Sequence, residues 1–178
     1  MRTFNKIFGV GISRTGTTSL TVALECLGIP TIHWPTNMHD IKKFRGATDI
    51  TIASRFKELD QIFQDSLFIY TEREPASWLR SVKQHYAKRH PAKTLPGGAR
   101  IFSLESEVII YGRIWPKDKD FLRAYQAHEE DVLNYFAVRP ACLLRLNISK
   151  GDGWPKLCDF LKLPRPRIPF PHRNRRVS

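Results

Sequence analysis

The chain has 178 residues, with 29 Lys and Arg against 17 Asp and Glu, a net charge of +12 and a pI near 10.0. That length gives one domain with a single sizeable core, and the basic excess restricts partners to anions: a nucleic acid, an anionic membrane or glycan, or a small polyanionic ligand. No apolar run approaches the roughly 20 residues of a membrane span, and Met1-Arg-Thr-Phe-Asn-Lys6 leads straight into a strand rather than reading as a signal peptide.

Residues 6–10 read as a short apolar strand. Residues 16–28 read as a helix, with Leu20, Ala23, Leu24 and Leu27 at helical spacing and Gly28 as its stop. A second strand is expected over 29–33, a loop over 38–47, and an amphipathic segment over 54–63. Residues 67–71 form the next strand, and Pro75 opens a helix that runs to about Lys88. Two prolines and Gly97-Gly98 make 90–98 a loop, the expected mobile element, before a helix over 103–111. The stripe Phe121, Leu122, Tyr125, Val132, Leu133, Phe136 marks a helix over 118–136. Residues 142–146 read as a strand interrupted by Arg145. Asp152 is placed to cap a last helix ending at Leu161. From about residue 164 the chain is a proline- and arginine-rich extended tail. Strands alternating with helices imply an α/β layered fold: one domain over 1–178, with a parallel sheet of about four to five strands flanked by helices.

Cys26, Cys142 and Cys158 are far apart, have no C-x-x-C spacing and sit among apolar neighbours. They read as buried thiols of a protein in the reducing cytoplasm. No His, Cys and carboxylate spacing suits a metal, so no metal is expected. Trp34, Tyr86, Tyr111 and Trp115 are read as core packing first and as lining for an acceptor pocket second.

The informative stretch is the glycine-rich loop Gly9-Val-Gly-Ile-Ser-Arg-Thr-Gly-Thr-Thr-Ser-Leu20. From Gly11 it nearly satisfies the P-loop spacing G-x-x-x-x-G-K-[ST]. Thr17 stands where the phosphate-gripping Lys belongs, and a cation has moved forward to Arg14. Such a loop still cradles an anion with backbone N–H groups and a helix N-terminus. It lacks the Lys that a kinase or ATPase places on the β- and γ-phosphates.

Arg14-Thr15-Gly16-Thr17-Thr18-Ser19-Leu20 resembles the 5′-phosphosulfate loop of the sulfotransferase superfamily, whose donor is 3′-phosphoadenosine 5′-phosphosulfate (PAPS). A second signature of that family, a strand ending in Arg with Ser eight residues on, is matched by Leu67-Phe-Ile-Tyr-Thr-Glu-Arg73 and Ser81. Gly153-Trp154, Leu157-Cys158, Phe160-Leu161 and Pro169-Phe-Pro-His172, with Asn174, resemble the end of a compact subgroup of the same superfamily. The resemblance implies a P-loop fold and transfer of the sulfuryl group to a hydroxyl or amine of a small-molecule or glycan acceptor, with release of 3′,5′-ADP. It implies donor contacts from Ser13, Arg14, Thr15, Gly16, Thr17, Thr18 and Ser19, and a 3′-phosphate grip by Arg73 with Ser81. It implies in-line, metal-free transfer, with Arg14 on the phosphosulfate oxygens.

The base departs from the family pattern. Where cytosolic members carry T-H-x-P, this chain has Thr48-Asp49-Ile50-Thr51. Asp49 is the first candidate, as carbohydrate sulfotransferases use a carboxylate in that role, and a helix N-cap is its structural alternative. His33, at the end of the second strand, is the other candidate. Arg80 and Lys83 are read as solvated charge, and His85, His90 and His128 have no assigned role. The tail from Arg165 either folds over the nucleotide or stays solvated; the family's R-K-G-x-x-G closure is absent. A second subunit, as in a homodimer, is one way to complete the acceptor pocket. Two other readings remain: a P-loop small-molecule or nucleotide kinase, and a non-catalytic basic module for polyanions. No helix-turn-helix, zinc-finger or RNA-binding signature supports a specific nucleic acid.

Overall fold

A computed structural model describes residues 3–88, 97–114 and 116–173, with the backbone alone for 97–99. Five strands lie in one parallel sheet of order β2-β3-β1-β4-β5: β1 Ile7–Gly9, β2 Thr31–His33, β3 Gly46–Thr48, β4 Leu67–Thr71 and β5 Leu143–Leu146. The expected α/β class and strand number hold. Alternation along the strands gives each face of the sheet its own core. Ile7, Leu67, Ile69, Leu144 and Leu146 pack on one face against α1 (Thr17–Cys26) and α8 (Trp154–Leu161). Phe8, Phe68 and Tyr70 face the other way, against α2 (Met38–Lys43), α4 (Phe56–Ile62) and α7 (Asp118–Phe136). A third cluster joins Ile12 and α3 (Ile50–Ala53) to Trp78 and Val82 of α5 (Pro75–Ala87), Tyr111 of α6 (Gly97–Tyr111), and Phe121 and Tyr125 of α7. It builds the floor beneath the glycine-rich loop.

Several expectations are corrected. The segment 38–47, expected as a loop, holds α2 and most of β3. Ile41 buries completely, Asn37 caps α2 through Asp40 N–H, and Gly46 lies against Thr31, leaving no room for a side chain. Helix α6 starts at Gly97 rather than 103, and residues 90–96 of the expected loop lie outside the described residues, as do Trp115 and Asn174. Arg145 does not interrupt β5: it sits on the sheet edge, and its guanidinium pairs with Glu72 at 2.7 Å and Glu129 at 3.2 Å. Asp152 does not cap α8. Gly153 holds that position, while Asp152 accepts from Asn147 N–H and pairs with Lys156. Of the cysteines only Cys158 is buried; Cys26 is exposed, on the solvent side of α1. Tyr111 is buried and Tyr86 packs on it edge-on, as core residues do.

Candidate active site

The carboxyl ends of β1, β2, β3 and β4 converge on the loop between β1 and α1. The loop is fixed from below. A side chain at Gly11 would press a Cβ within 2.6 Å of the Thr71 carbonyl, so only glycine lets the chain cross the end of β4. Thr15 is buried; its hydroxyl donates to the Ile12 carbonyl and bonds the Thr71 hydroxyl, both at 2.7 Å. Trp78, fully buried in α5, donates its indole N–H to the Ser13 carbonyl at 2.9 Å. Between these anchors Arg14 takes φ 74° and Gly16 φ 115°. A left-handed arginine costs about 1–3 kcal/mol and persists only where its surroundings impose it. Gly16 then delivers the chain into α1.

Two cavities open around this loop. The larger, about 630 Å³, runs from Thr15, Gly16 and Ser19 along α5 to Lys88, and its cations are Arg14, Arg73, Arg80, Lys88 and Arg173. The smaller, about 130 Å³, holds Ser13, Thr17, Thr18, His33 and Asp49, with Arg14 and Arg73 shared between the two.

The serines of α5 partition between the two arginines. Arg73 donates Nε and Nη2 to Ser77 Oγ at 3.1 and 2.9 Å, and its Nη1 reaches the Arg14 carbonyl at 3.2 Å. Ser81 Oγ instead accepts from Arg14 Nε at 3.2 Å. The expected pair of Arg73 with Ser81 therefore shares one cleft, with Ser77 as the direct partner of Arg73. The backbone of Arg73 is clamped by Tyr125, whose hydroxyl donates to its carbonyl and accepts from its N–H. Burial pushes the Tyr125 hydroxyl upward, so it stays protonated as that donor. Glu74 caps α5 by accepting from Ala76 and Ser77 N–H, and those bonds hold its carboxyl below the usual range.

In the small pocket both base candidates meet, although they lie 16 positions apart in sequence. Asp49 adopts φ 91° at the end of β3, ahead of α3, and makes no side-chain cap. Its Oδ1 instead accepts from Ser13 Oγ at 3.1 Å and Thr17 Oγ1 at 3.4 Å. Its Oδ2 lies 3.6 Å from His33 Nε2. His33 Nδ1 is 3.0 Å from the Thr48 hydroxyl, and Nε2 is 3.2 Å from the Thr18 hydroxyl. The strand order puts β2 and β3 side by side, in register from Thr31 opposite Gly46 to His33 opposite Thr48, and so brings the imidazole over the carboxylate. His33 is the more open of the two, 32% exposed against 13% for Asp49.

A family model described as the sulfotransferase domain matches residues 6–45 and 39–178. The chain belongs to that family. No curated protein matches it. Membership accounts for sulfuryl transfer as the general chemistry and for the all-parallel α/β fold. The candidate site also holds residues to which the sequence alone gives no role. Arg80 and Lys88 line the large cleft with Gln84 and His85. Their signal was available, since Ser77, Ser81 and His85, like Arg80, Gln84 and Lys88, recur every fourth residue and so form columns on one helix. Lys83, by contrast, turns away and pairs with Asp118 at 2.6 Å. His172 and Arg173 arrive from the tail, for which no periodicity exists to be read. His128 is structural: it is buried, with Nε2 2.7 Å from the Val10 carbonyl. No group of three His, Cys, Asp or Glu among the described residues is placed to hold a metal. No helix among them is long and apolar enough to cross a membrane.

Proposed function

We propose that this sulfotransferase takes PAPS as donor and moves its sulfuryl group in line to a hydroxyl or amine of a small-molecule or glycan acceptor, leaving 3′,5′-ADP. The observation that carries this reading is the division of cations in one cleft. Arg14 sits in the loop at the start of α1 and Arg73 at the end of β4, each steadied by its own serine of α5. That is a donor set for an anion with two separate charged ends, and it fits a nucleotide phosphorylated on both the 3′ and 5′ sides. The loop N–H groups, the Thr17 and Thr18 hydroxyls and Arg14 would hold the 5′ side; Arg73 and Ser77 would hold the 3′-phosphate, with Ser81 placed between the two ends by its bond to Arg14.

When bound, PAPS supplies the sulfuryl group and, as its bridging S–O bond breaks, a phosphate that leaves with the electron pair. Arg14 meets the charge gathering on that phosphate with a fixed fork of donors, a stabilisation that grows as the reaction proceeds. His33 Nε2 takes the proton of the acceptor. In the neutral ring the Nδ1–H can donate to Thr48, and the Nε2 lone pair then faces the Thr18 hydroxyl, which the acceptor hydroxyl would displace. Proton uptake there turns the 3.6 Å approach to Asp49 into an ion pair. Asp49, tied by the Ser13 and Thr17 hydroxyls, is the carboxylate that stabilises the imidazolium.

Calorimetric titration with 3′,5′-ADP, 5′-ADP and ATP, with and without Mg²⁺, tests the donor. The expected result is Mg²⁺-independent preference for 3′,5′-ADP, weakened about 30-fold by Arg73→Ala through the loss of a charged hydrogen-bond partner. Preference for ATP with Mg²⁺ would turn the reading to a kinase. Binding only to long polyanions would turn it to a non-catalytic basic module.

A further inference from the structure

We propose that residues 168–173 form a strap that delivers Arg173 to the 5′ side of the bound donor, where its guanidinium and Arg14 together hold the leaving phosphate. This rests on the donor reading above.

Two anchors seat the strap. Trp154, at the start of α8, donates its indole N–H to the Ile168 carbonyl at 2.7 Å and packs against Phe170 with ring centres 4.8 Å apart and planes at 68°. The seat is cut to this ring: a Cβ at Gly153 would meet Phe170 at 3.3 Å. Three residues on, the Arg173 N–H donates to Ser19 Oγ at 2.9 Å, in the first turn of α1, where Ser19 is only 3% exposed. With both ends of Phe170–Arg173 fixed, the Arg173 side chain starts from a defined point beside the loop.

That point is where the two cavities meet. Arg173 lines both, as do Arg14, Gly16, Ser19, Arg73 and His85. Gly16 and Ser19 belong to the cradle at the start of α1, the place for the 5′ side. The other end of the cleft is built by α5, from Ser77, the partner of Arg73, along to Lys88. Of the arginines at this junction, Arg73 is turned to Ser77 of α5, whereas Arg173 is anchored on Ser19 of α1, so the Arg173 guanidinium meets charge on the 5′ phosphate, and its attraction strengthens as that phosphate leaves.

Single-phosphate probes separate the two ends. In calorimetry, Arg173→Ala is expected to weaken 5′-AMP and 3′,5′-ADP about tenfold, the loss of one charge-assisted contact in a half-solvated site, and to leave 3′-AMP within about twofold. Arg173→Lys should recover part of the 5′-AMP affinity. Phe170→Ala releases the strap without changing charge and should reproduce the same pattern. Equal weakening of 3′-AMP, or no change for any probe, would overturn the proposal. A wild-type protein that binds 5′-AMP but not 3′-AMP would fail the donor reading alone, because the Arg173 comparison still reads on 5′-AMP. A protein that binds none of the three overturns both.

Discussion

The two halves of the proposed site, one for the donor and one for the base, are built by different means. The donor half is made by local chain: strand β1, the loop with Arg14 and Gly16, and helix α1 follow one another directly, and Arg73 precedes the helix that carries Ser77 and Ser81. The base half is made by tertiary placement: His33 and Asp49 end two different strands and meet only because β2 and β3 are neighbours in register. A local unit can bind an anion almost wherever it is put. A pair assembled by strand order works only if the whole sheet is correct, so the halves should fail in different ways.

On the donor half the expected effect is on folding and binding together. Gly11→Ala places a methyl within 2.6 Å of the Thr71 backbone, which no rotamer change relieves. Overpacking of this kind costs about 3 kcal/mol, and it should lower the urea unfolding midpoint together with 3′,5′-ADP affinity. Normal stability with normal affinity would show that the loop is not held by β4. The base half should respond chiefly in rate. His33→Gln is expected to slow sulfuryl transfer from PAPS to a simple phenol by about a thousandfold, and Asp49→Asn by about a hundredfold. Affinity for 3′,5′-ADP should fall far less than the rate, since each side chain reaches the donor phosphates only through a loop hydroxyl, Thr18 for His33 and Thr17 for Asp49. If Asp49→Asn proves the more damaging, the roles within the pair are reversed, with the carboxylate as proton acceptor.

What the sequence disclosed follows the same division. The glycine loop, β4, α5 and α7 were legible because each is a contiguous pattern: glycine spacing, an apolar run, a proline start, a stripe of period 3.6. Strand β3 was not, because Gly46-Ala47-Thr48 has neither length nor β-branched density, and it becomes a strand by lying between β1 and β2. With β3 unseen, Asp49 and His33 stood as rival candidates rather than as neighbours. The division of serines was hidden for a related reason: Ser77 and Ser81 share a helix face, and only the entry of Arg14 from the loop decides which arginine each one meets. The tail carried no periodicity, only the Pro169-Phe-Pro-His172 resemblance; its place is set by Phe170 finding a glycine beside Trp154.

Both halves hang on β1, and one buried histidine offers the gentlest way to test that shared dependence. His128 of α7 lies with Nε2 2.7 Å from the Val10 carbonyl, where β1 turns into the glycine loop, and Phe56 and Tyr70 enclose its ring. Burial pushes its pKa below the ordinary histidine value, against the opposing pull of the Val10 carbonyl and Asp131. The unfolded chain therefore takes up a proton at a higher pH than the folded one. The contribution to stability is intact above the unfolded value of about 6.5 and is lost progressively as pH falls toward the lower folded value. The urea midpoint should drop between pH 7.5 and 5.5. In His128→Gln, whose amide can still donate to Val10 but does not titrate, that drop should shrink. Because the affected bond sits at the root of the loop, the ratio of wild type to His128→Gln in 3′,5′-ADP binding and the same ratio in transfer should follow one pH curve; taking the ratio removes the protonation of His33, which both proteins share. Ratios that separate would mean that α7 supports one half of the site more than the other.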